Sequence, residues 1–434
     1  MARKPKQRAP RKAPRQRRAL SHVGGEVELR GELDAERRVA AEALDVTADE
    51  AAVRAHVHGF HSYPARLHPL SAAGLVQGLT ARGSPVLDPF CGSGTVLVEA
   101  RLQGRRPLGV DANPLAVELS WLKTGGLVPA QLGQLDAARQ HVVEHAEARR
   151  QAKAGPSRRY GREDRELFDV HVLLELDGLR QGVQAIRQPS LRRALGLVLS
   201  ATLTKLSRQT SDTAQRRVDR RLASGFAIRF FSRKATELGD RLAEFWARVP
   251  PGAPRARIGV GDARRLRNID DASIDLVLCS PPYPGVYDYL DHHAARLRWL
   301  GLRAGALSRS EIGARRNFQR LKYAVAVRRW EQELGDCLRE MERVLARSGT
   351  AALMLADTAV DGRAVRADET VERAAARAHL EIVVSAAQQR PHFHAGAARA
   401  FARQPRRELL ILLRRRRTGR AAAGRGRKAQ RRSP

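Results

Sequence analysis

Two short stretches of this 434-residue chain hold residue types that can do chemistry. In the first, residues 88–95 read DPFCGSGT and follow the apolar run 85–87. A helical pattern over 96–103 comes next, and a second apolar run, 107–110, ends in Asp111. A strand, a glycine turn, a helix and a second strand with an acid at its tip form one half of a nucleotide-binding α/β unit.

The glycines and the two acids of this unit indicate which ligand it can hold. Gly92 and Gly94 have no Cβ, so the backbone can turn sharply there and approach a ligand closely. Asp111 follows Gly92 by 19 residues (111 − 92), near the spacing at which such units place a carboxylate on ribose hydroxyls. Asp88 would repel the pyrophosphate of a dinucleotide. S-adenosylmethionine, which has a ribose, an ammonium and a sulfonium, suits both acids. The competing interpretation is an ordinary βαβ turn.

The second stretch, residues 280–283, reads SPPY and directly follows the apolar run 275–279. Two successive prolines hold the backbone extended and have no N–H to donate. The carbonyls of Ser280 and Pro281, with the Ser280 hydroxyl, are therefore held out as acceptors. Acceptors that hold the hydrogens of an exocyclic amine favour its pyramidal, nucleophilic form and so stabilise the transition state. Tyr283 would stack on an extruded base. The competing interpretation is a strand-ending turn with a surface tyrosine.

The apolar pattern elsewhere predicts the elements that must position these two stretches. Five further strands join the two of the opening unit in a seven-stranded open α/β sheet, with ligands at the carboxyl ends of its strands. The last strand is expected at the edge of the sheet. Segment 27–56 is expected to be helical, and a helical insertion interrupts the α/β pattern from 125 to 254. The five further strands are predicted at 258–260, 275–279, 350–356, 381–386 and 408–413.

The formal net charge of +33 is concentrated at the two ends of the chain. Residues 1–20 hold nine Lys/Arg and residues 414–434 hold ten, and neither segment contains an acid. We expect both basic tails to be disordered and to bind polyanions through phosphate contacts. The remaining +14 (33 − 9 − 10) keeps the body of the chain basic. An Arg-rich composition spread over solvated faces is the alternative explanation for that remainder.

Composition and histidine spacing argue against a disulfide-stabilised, membrane-spanning, secreted or metal-binding protein. Three scattered cysteines predict a reducing compartment, with no zinc site and no disulfide framework. No run of about 18 apolar residues is present, so no membrane span is expected, and the basic N-terminus lacks the apolar segment of a secretory signal. Four histidines between 56 and 68 are irregularly spaced, with no Cys or carboxylate beside them, so we predict no metal site. Block 58–69 is instead expected to line a cofactor pocket, with Tyr63 against a ring.

The pairing of DPFCGSGT with SPPY resembles the S-adenosylmethionine-dependent amino-methyltransferases of DNA. Residues 61–66, HSYPAR, are also similar to a cofactor-side motif of that family, and the resemblance covers roughly 56–124 and 255–413. It implies a Rossmann-like, seven-stranded class I methyltransferase sheet, a catalytic loop formed by residues 280–283, and direct methyl transfer to an exocyclic amine. A serine at the head of this loop is associated in the family more with cytosine N4 than with adenine N6.

The resemblance also implies a role for each residue of the cofactor pocket. Asp88, Gly92 and Gly94 would surround the methionine part, Asp111 would bind the ribose, and Asp262 would lie near the adenine. The complete set of implied cofactor contacts is Tyr63, Asp88, Phe90, Gly92, Ser93, Gly94, Thr95, Asp111, Asn113, Asp262 and Ala263. The implied catalytic set is Ser280, Pro281, Pro282 and Tyr283.

Nucleic-acid contacts are expected outside these two motifs. The predicted order is a disordered basic tail (1–20), a cofactor-binding first part (21–124), the insertion (125–254), a second catalytic part (255–413) and a basic tail (414–434). The insertion is a candidate for reading a target sequence, and a scaffold role is the alternative. Candidates for base contacts are Arg208, Gln209 and Asp212 in the insertion and Arg315 and Arg316 after the loop. Candidates for lining a base pocket are Tyr287, Asp288 and Tyr289.

DNA is the expected partner, in a restriction–modification setting and a cytoplasmic, nucleoid-associated location. No membrane and no obligate protein partner are indicated. Amino-methylation of an RNA base, such as guanine N2, is an open alternative because basic tails suit either polymer. A non-catalytic nucleic-acid-binding protein on the same scaffold is the alternative of another class. Methylation of cytosine C5 is disfavoured, because the thiolate it needs would come from Cys279, which alternates away from Ser280 on its strand.

Overall fold

The computed structural model of the chain describes residues 25–46, 50–211, 218–390 and 399–416. The predicted N-terminal tail, most of the C-terminal tail and Asp212 lie outside these residues. Within them, no helix combines the length and the apolar character that crossing a membrane requires.

An eight-stranded sheet forms the centre of the fold. Its spatial order is β1-β9-β10-β6-β5-β2-β3-β4. Five of these strands (β4, β3, β2, β5 and β6) pair in parallel, whereas β10 runs antiparallel to both of its neighbours and β1 runs antiparallel to β9. A separate hairpin joins β7 and β8. The strands are β1 Glu28–Gly31, β2 Pro85–Asp88, β3 Arg106–Asp111, β4 Arg257–Val260, β5 Ile274–Cys279, β6 Leu345–Ala356, β7 Thr358–Val360, β8 Arg363–Val365, β9 Leu380–Gln389 and β10 Arg407–Arg415.

The sheet differs from the sequence prediction at three points. The main sheet has eight strands rather than seven, because β1 forms inside segment 27–56, which was predicted to be helical. The last strand, β10, is not at the edge but lies between β9 and β6. It also extends to Arg415, two residues into the segment predicted as a disordered tail. Arg414 there donates to Glu36, and Arg415 donates to Glu342.

The interior position of β10 follows from its own sequence. Leu409, Ile411 and Leu413 face one core of the protein, whereas Leu410 and Leu412 face the other. A strand that is apolar on both faces needs cover on both faces, which an interior position provides.

Helices cover both faces of the sheet. One core contains residues of α1 and α3, and the opposite core contains residues of α14 and α15. Successive strand residues such as Val86 and Leu87 enter opposite cores, as the alternation of a strand requires. These helices and their neighbours are α1 Asp34–Leu44, α2 Glu50–Arg54, α3 Pro69–Leu79, α4 Thr95–Leu102, α5 Pro114–Lys123, α11 Tyr289–Leu300, α12 Gly305–Ser310, α13 Arg315–Phe318, α14 Tyr323–Val344 and α15 Ala367–Arg377.

The insertion between the two halves of the sheet is helical in its described part. Its helices are α6 Leu132–Gln151, α7 Arg162–Leu167, α8 Val170–Ala185, α9 Pro189–Leu206 and α10 Phe226–Arg248. Leu176, Leu199 and Phe231 of these helices share a single core with Leu119 of α5 and Leu297 of α11. The insertion is therefore packed into the body of the protein through a continuous apolar core.

Arg296 of α11 joins the insertion to the histidine block. Its guanidinium is almost completely buried and donates to His61 Nε2 (2.9 Å) and Ser62 Oγ (3.0 Å) in that block. It also donates to Thr204 Oγ1 (2.8 Å) and to the Ser200 carbonyl, both on α9. One side chain thus holds three chain segments in a fixed arrangement.

We predict that Arg296→Met lowers the free energy of unfolding by about 1–3 kcal/mol, because it leaves buried acceptors without their donor. The change keeps an unbranched apolar stem, so the loss reports the guanidinium. Thermal and denaturant unfolding measure it. Arg303→Met, at an exposed position, is the matched control and should change stability by less than about 0.5 kcal/mol. Equal stability of the two variants would contradict the joining role of Arg296.

Candidate functional site

The glycine turn after β2 adopts a backbone that favours glycine at two positions. Gly92 has φ +51° and Gly94 has φ +85°, both in the left-handed region. A Cβ at Gly94 would lie 2.9 Å from Ser120 Oγ, and a Cβ at Gly92 would lie 3.2 Å from the ring of Tyr63. Conformation and close packing therefore both explain these two glycines.

Asp111, at the tip of β3, fixes this turn. Its Oδ2 accepts the backbone N–H of Gly92 at 2.8 Å, and its Oδ1 accepts the N–H of Asn113 at 2.8 Å. Asn113 in turn caps α5 by accepting the N–H of Leu115. The carboxylate thus links the glycine turn, the strand tip and the start of the next helix.

A cavity opens at the carboxyl ends of β2, β3 and β5. It brings the glycine turn and the SPPY loop together, because residues of both line it. The predicted site residues in its lining are Tyr63, Phe90, Gly92, Asp111, Asn113, Ala263, Ser280 and Pro282. One cavity therefore brings the carboxylate of Asp111 together with the loop 280–283, as the sequence predicted for the two motifs.

Other predicted site residues lie outside this lining. Asp88 is buried, with its Oδ1 accepting the N–H of Phe90, and Ser93 and Thr95 are buried within the turn and the start of α4. Asp262 forms a two-pronged ion pair with Arg264 at 2.8 and 2.9 Å. Its proximity to an adenine remains a prediction.

Tyr283 does not face the same cavity as Ser280. It lines a smaller, separate cavity together with Trp330 and Leu334 of α14. Burial raises the pKa of its hydroxyl above the usual range. Its stacking on an extruded base remains a prediction, and reaching such a base would require the ring to turn away from α14.

Sequence reasoning missed one chain segment that lines the cavity. Leu307, Ser310, Glu311 and Ile312 line it, and they come from α12 and the residues that follow it. Glu311 accepts the N–H of Tyr289 at 2.6 Å, and burial raises the pKa of its carboxyl group. No motif marks these residues, since irregular tertiary packing alone brings them to the site.

Burial shapes the charge of the site. It raises the pKa of Asp88 to about 8, despite the N–H of Phe90 that favours the ionised form. It also raises the pKa of Asp111 to about 6, against the opposing effect of the N–H groups of Asn113 and Gly92. At neutral pH Asp111 is therefore largely ionised and Asp88 largely protonated, and a positive ligand bound nearby would favour the ionised form of both carboxyl groups.

The predicted nucleic-acid contacts are largely engaged within the protein. Arg208 pairs with Asp169 at 2.6 Å, and the carbonyl of Gln209 accepts from Arg220. Arg316 pairs with Glu311 at 2.6 Å and with Asp288. Arg315 is exposed. Contact of these residues with a base remains a prediction, and the two paired arginines would have to exchange a carboxylate for a base edge.

The histidine block contains a carboxylate that the sequence pattern did not reveal. Glu99 of α4 lies beside His56 and His58, and one ligand atom from each lies within 4.8 Å of the others. The reason given for expecting no metal, the lack of a nearby carboxylate, is therefore wrong. His58 Nε2 and Glu99 Oε1 nevertheless lie 2.6 Å apart, a hydrogen-bonding distance. Nearby positive charge from Lys123 and Arg66 disfavours a cation there.

The strand order and the site define the class of the protein. Parallel strands in the order β4-β3-β2-β5-β6, with an antiparallel β10 inserted before β9, form a Rossmann-like methyltransferase sheet. Residues 44–121 match the DNA methylase family N6_N4_Mtase. This segment, which holds the glycine turn and Asp111, is therefore similar to that family of DNA methylases.

Individual relatives match over short stretches. The type II methyltransferase M.MvaI of Kocuria varians is 38% identical over 81 residues, which are 18% of this chain and 18% of that protein. The type II methyltransferase M.MjaII of Methanocaldococcus jannaschii is 36% identical over 59 residues, which are 14% of this chain and 11% of that protein. The chain therefore spans less than a fifth of the length of these curated relatives.

Solved structures align over most of the chain with low similarity. A TehB-like SAM-dependent methyltransferase from Corynebacterium glutamicum is 11% identical, with a TM-score of 0.29, over 80% of this chain and 87% of that chain. The rRNA methyltransferase AviRa from Streptomyces viridochromogenes is 14% identical, with a TM-score of 0.31, over 85% of this chain and 94% of that chain.

We predict that Asp88→Asn stabilises the protein increasingly as the pH rises. Because the folded pKa of Asp88 is about 8 and its ordinary value is 3.8, ionisation costs stability progressively between these values, and the asparagine avoids this cost. The difference between the variant and the wild type should grow on the order of 3 kcal/mol between about pH 5 and about pH 8. Unfolding midpoints across this range measure it. The exposed Asp240→Asn should show no such trend, and a flat difference for Asp88→Asn would contradict the assigned burial cost.

Proposed function

We propose that the protein transfers a methyl group from S-adenosylmethionine to an exocyclic amino group of a DNA base, with cytosine N4 as the favoured position. The observation that carries this proposal is the single cavity lined by Asp111 on one side and by Ser280 and Pro282 on another. The family match of residues 44–121 supports it independently.

The residues present suit this cofactor. Asp111 lies where a carboxylate can accept ribose hydroxyls, and Gly92, which has no side chain, lines the same cavity. The two reluctantly ionised acids, Asp88 and Asp111, favour a ligand with positive charge. When bound, S-adenosylmethionine supplies an electrophilic methyl group.

The chain's own contribution to the reaction comes from the SPPY loop. Ser280 and the carbonyls of Ser280 and Pro281 accept hydrogen bonds from the amine and hold it in line with the methyl group. These acceptors stabilise the positive charge that develops on the nitrogen as the new bond forms. The amine then loses a proton to solvent or to a nearby acceptor. A serine at position 280 is the feature that favours cytosine N4 over adenine N6.

DNA is the proposed substrate, for two reasons. Residues 44–121 match a family of DNA methylases, and two proteins that the chain resembles over short stretches are named type II methyltransferases. The net charge of +33 adds a general attraction for a polyanion. RNA remains the alternative polymer because this attraction does not distinguish the two.

Labelled methyl donor, offered with separate DNA and RNA pools, should label DNA, and nucleoside analysis should identify N4-methylcytosine.

Gly92→Asp should abolish donor binding because it adds a side chain at φ +51° beside the Tyr63 ring. Ser280→Ala should bind donor normally and slow transfer by about a hundredfold. Gly133→Asp, at an open position of α6, is the control. Label in RNA alone would replace the substrate assignment, and donor binding without transfer to either polymer would favour a non-catalytic nucleic-acid-binding protein.

We further predict that donor binding releases protons near neutral pH. A positive ligand favours ionised Asp88, whose pKa without ligand is about 8, so up to about one proton leaves on binding at neutral pH. Affinity should tighten as the pH rises through this window. Calorimetry in buffers of different ionisation enthalpy measures the release. The donor's own amine titrates in the same range, so the informative quantity is the difference from Asp88→Asn. Identical proton release by both proteins would contradict the coupling.

A further inference from the structure

A pair of stacked tyrosine rings forms one wall of the cavity. The centroids of Tyr63 and Tyr289 lie 6.0 Å apart, with an interplanar angle of 20°. Both side chains line the cavity that contains Asp111 and Ser280. Tyr63 belongs to the segment that matches the DNA methylase family, whereas Tyr289 lies far outside it, at the start of α11.

Both rings are held in place by their surroundings. The Tyr63 hydroxyl accepts from Asn113 Nδ2 at 3.2 Å, and its ring packs 4.9 Å from the ring of His293. The Tyr289 N–H donates to Glu311, and the Tyr289 ring packs 5.6 Å from the ring of Tyr287 and 6.0 Å from the ring of His293. The wall is therefore built before any ligand arrives, and it loses little conformational entropy when a ligand binds.

The position of the wall within the cavity matters for the proposed reaction. Ala263, after β4, and Asp111, at the tip of β3, lie on the side assigned to the adenosine part of the cofactor. Gly92, whose missing Cβ faces the Tyr63 ring at 3.2 Å, lies on the side assigned to the methionine part. The sulfur joins these two parts and must direct its methyl group toward Ser280. The tyrosine wall thus borders the space that the sulfur would occupy.

We propose that the Tyr63–Tyr289 pair is a sulfonium-selective wall that binds the charged methyl donor in preference to its neutral product. This inference rests on the proposed function. During transfer the S–CH₃ bond breaks, its electron pair stays on sulfur, and the sulfonium becomes an uncharged thioether. The negative face of an aromatic ring attracts a cation and gives no comparable attraction to a thioether.

The carboxyl groups of the site do not supply this selectivity. Asp88 and Asp111 attract positive charge in general, and the ammonium of the methionine part is present in donor and product alike. The methyl group and the positive charge that distinguish the two ligands both lie at the sulfur. A group that discriminates between them must therefore act at the sulfur, where the aromatic wall lies.

The test compares the affinities of the full-length protein for S-adenosylmethionine and S-adenosylhomocysteine by calorimetry. Tyr289→Leu removes the ring, whereas Tyr289→Phe keeps it and removes only the hydroxyl. Tyr289→Leu should lower the donor-to-product affinity ratio by about tenfold, the size expected for a desolvated cation–π contact. Tyr289→Phe should keep the wild-type ratio within about twofold. Tyr287→Leu is the matched control because this ring contacts Tyr289 but lies outside the cavity lining.

The donor-to-product affinity ratio is measured on one preparation of each variant, so it does not depend on how much of that variant is folded. If Tyr289→Leu does not fold, Tyr289→Met provides the same comparison. If Tyr289→Leu weakened the affinity for both ligands equally, the two rings would act only as a steric lining, and the inference would be overturned. Loss of selectivity in Tyr287→Leu would also overturn it. Failure of the wild type to bind either ligand would instead refute the proposed cofactor, an outcome distinct from both.

Discussion

The carboxylate of Asp111 is the constraint on which the site depends. Strand register explains why it can reach the glycine turn: Asp88, the last residue of β2, pairs with Gly109, so Asp111 extends two residues beyond it. On the other side of β2, Leu87 pairs with Val277, so Ser280 also extends beyond the tip of β2. The glycine turn therefore starts in a recess between two longer strands. Asp111 closes this recess by accepting N–H groups that would otherwise be left unpaired beside the cavity.

This arrangement has an energetic cost that the rest of the fold must offset. Asp88 and Asp111 are carboxyl groups in an apolar setting, and burial raises the pKa of both. A protein selected for stability alone would replace such groups, since they destabilise the empty protein whenever they ionise. The two apolar cores that cover the sheet, and the third core shared with the insertion, supply the compensating stability. The buried carboxyl groups that cost stability are thus confined to the carboxyl ends of the strands, and the rest of the sheet is well packed.

The sequence was most informative where local geometry dictates residue type. Local backbone geometry alone explains three features: the glycine turn, the acid 19 residues later and the proline pair after a buried strand. Because ligands bind at the carboxyl ends of the strands in such a sheet, the sequence also predicts that these features lie close together. The sequence was least informative where tertiary packing determines the position of a residue or the formation of a strand. β1 is a four-residue strand among charged residues and carries little periodicity. Glu311 and Glu99 reach their partners through irregular or distant segments. The proline motif singled out Tyr283, yet of Tyr283 and Tyr289 it is Tyr289 that lines the cavity with Ser280.

The insertion has a structural task, which agrees with the scaffold role that the sequence left open as an alternative. Helix α11 carries Tyr289 to the cavity and places His293 against the ring of Tyr63. The insertion holds the other end of this helix, because Asp164 of α7 accepts from Arg298 at 2.8 Å and from Trp299 Nε1 at 3.0 Å. Arg296, between them, bonds to α9. His293 contacts Asn113, which also contacts Tyr63. A change in how the insertion packs would therefore be transmitted through one rigid helix to the cavity wall. Scaffold and recognition roles for the insertion are consequently compatible, because a surface that reads a target would stand on the same helices that position the site.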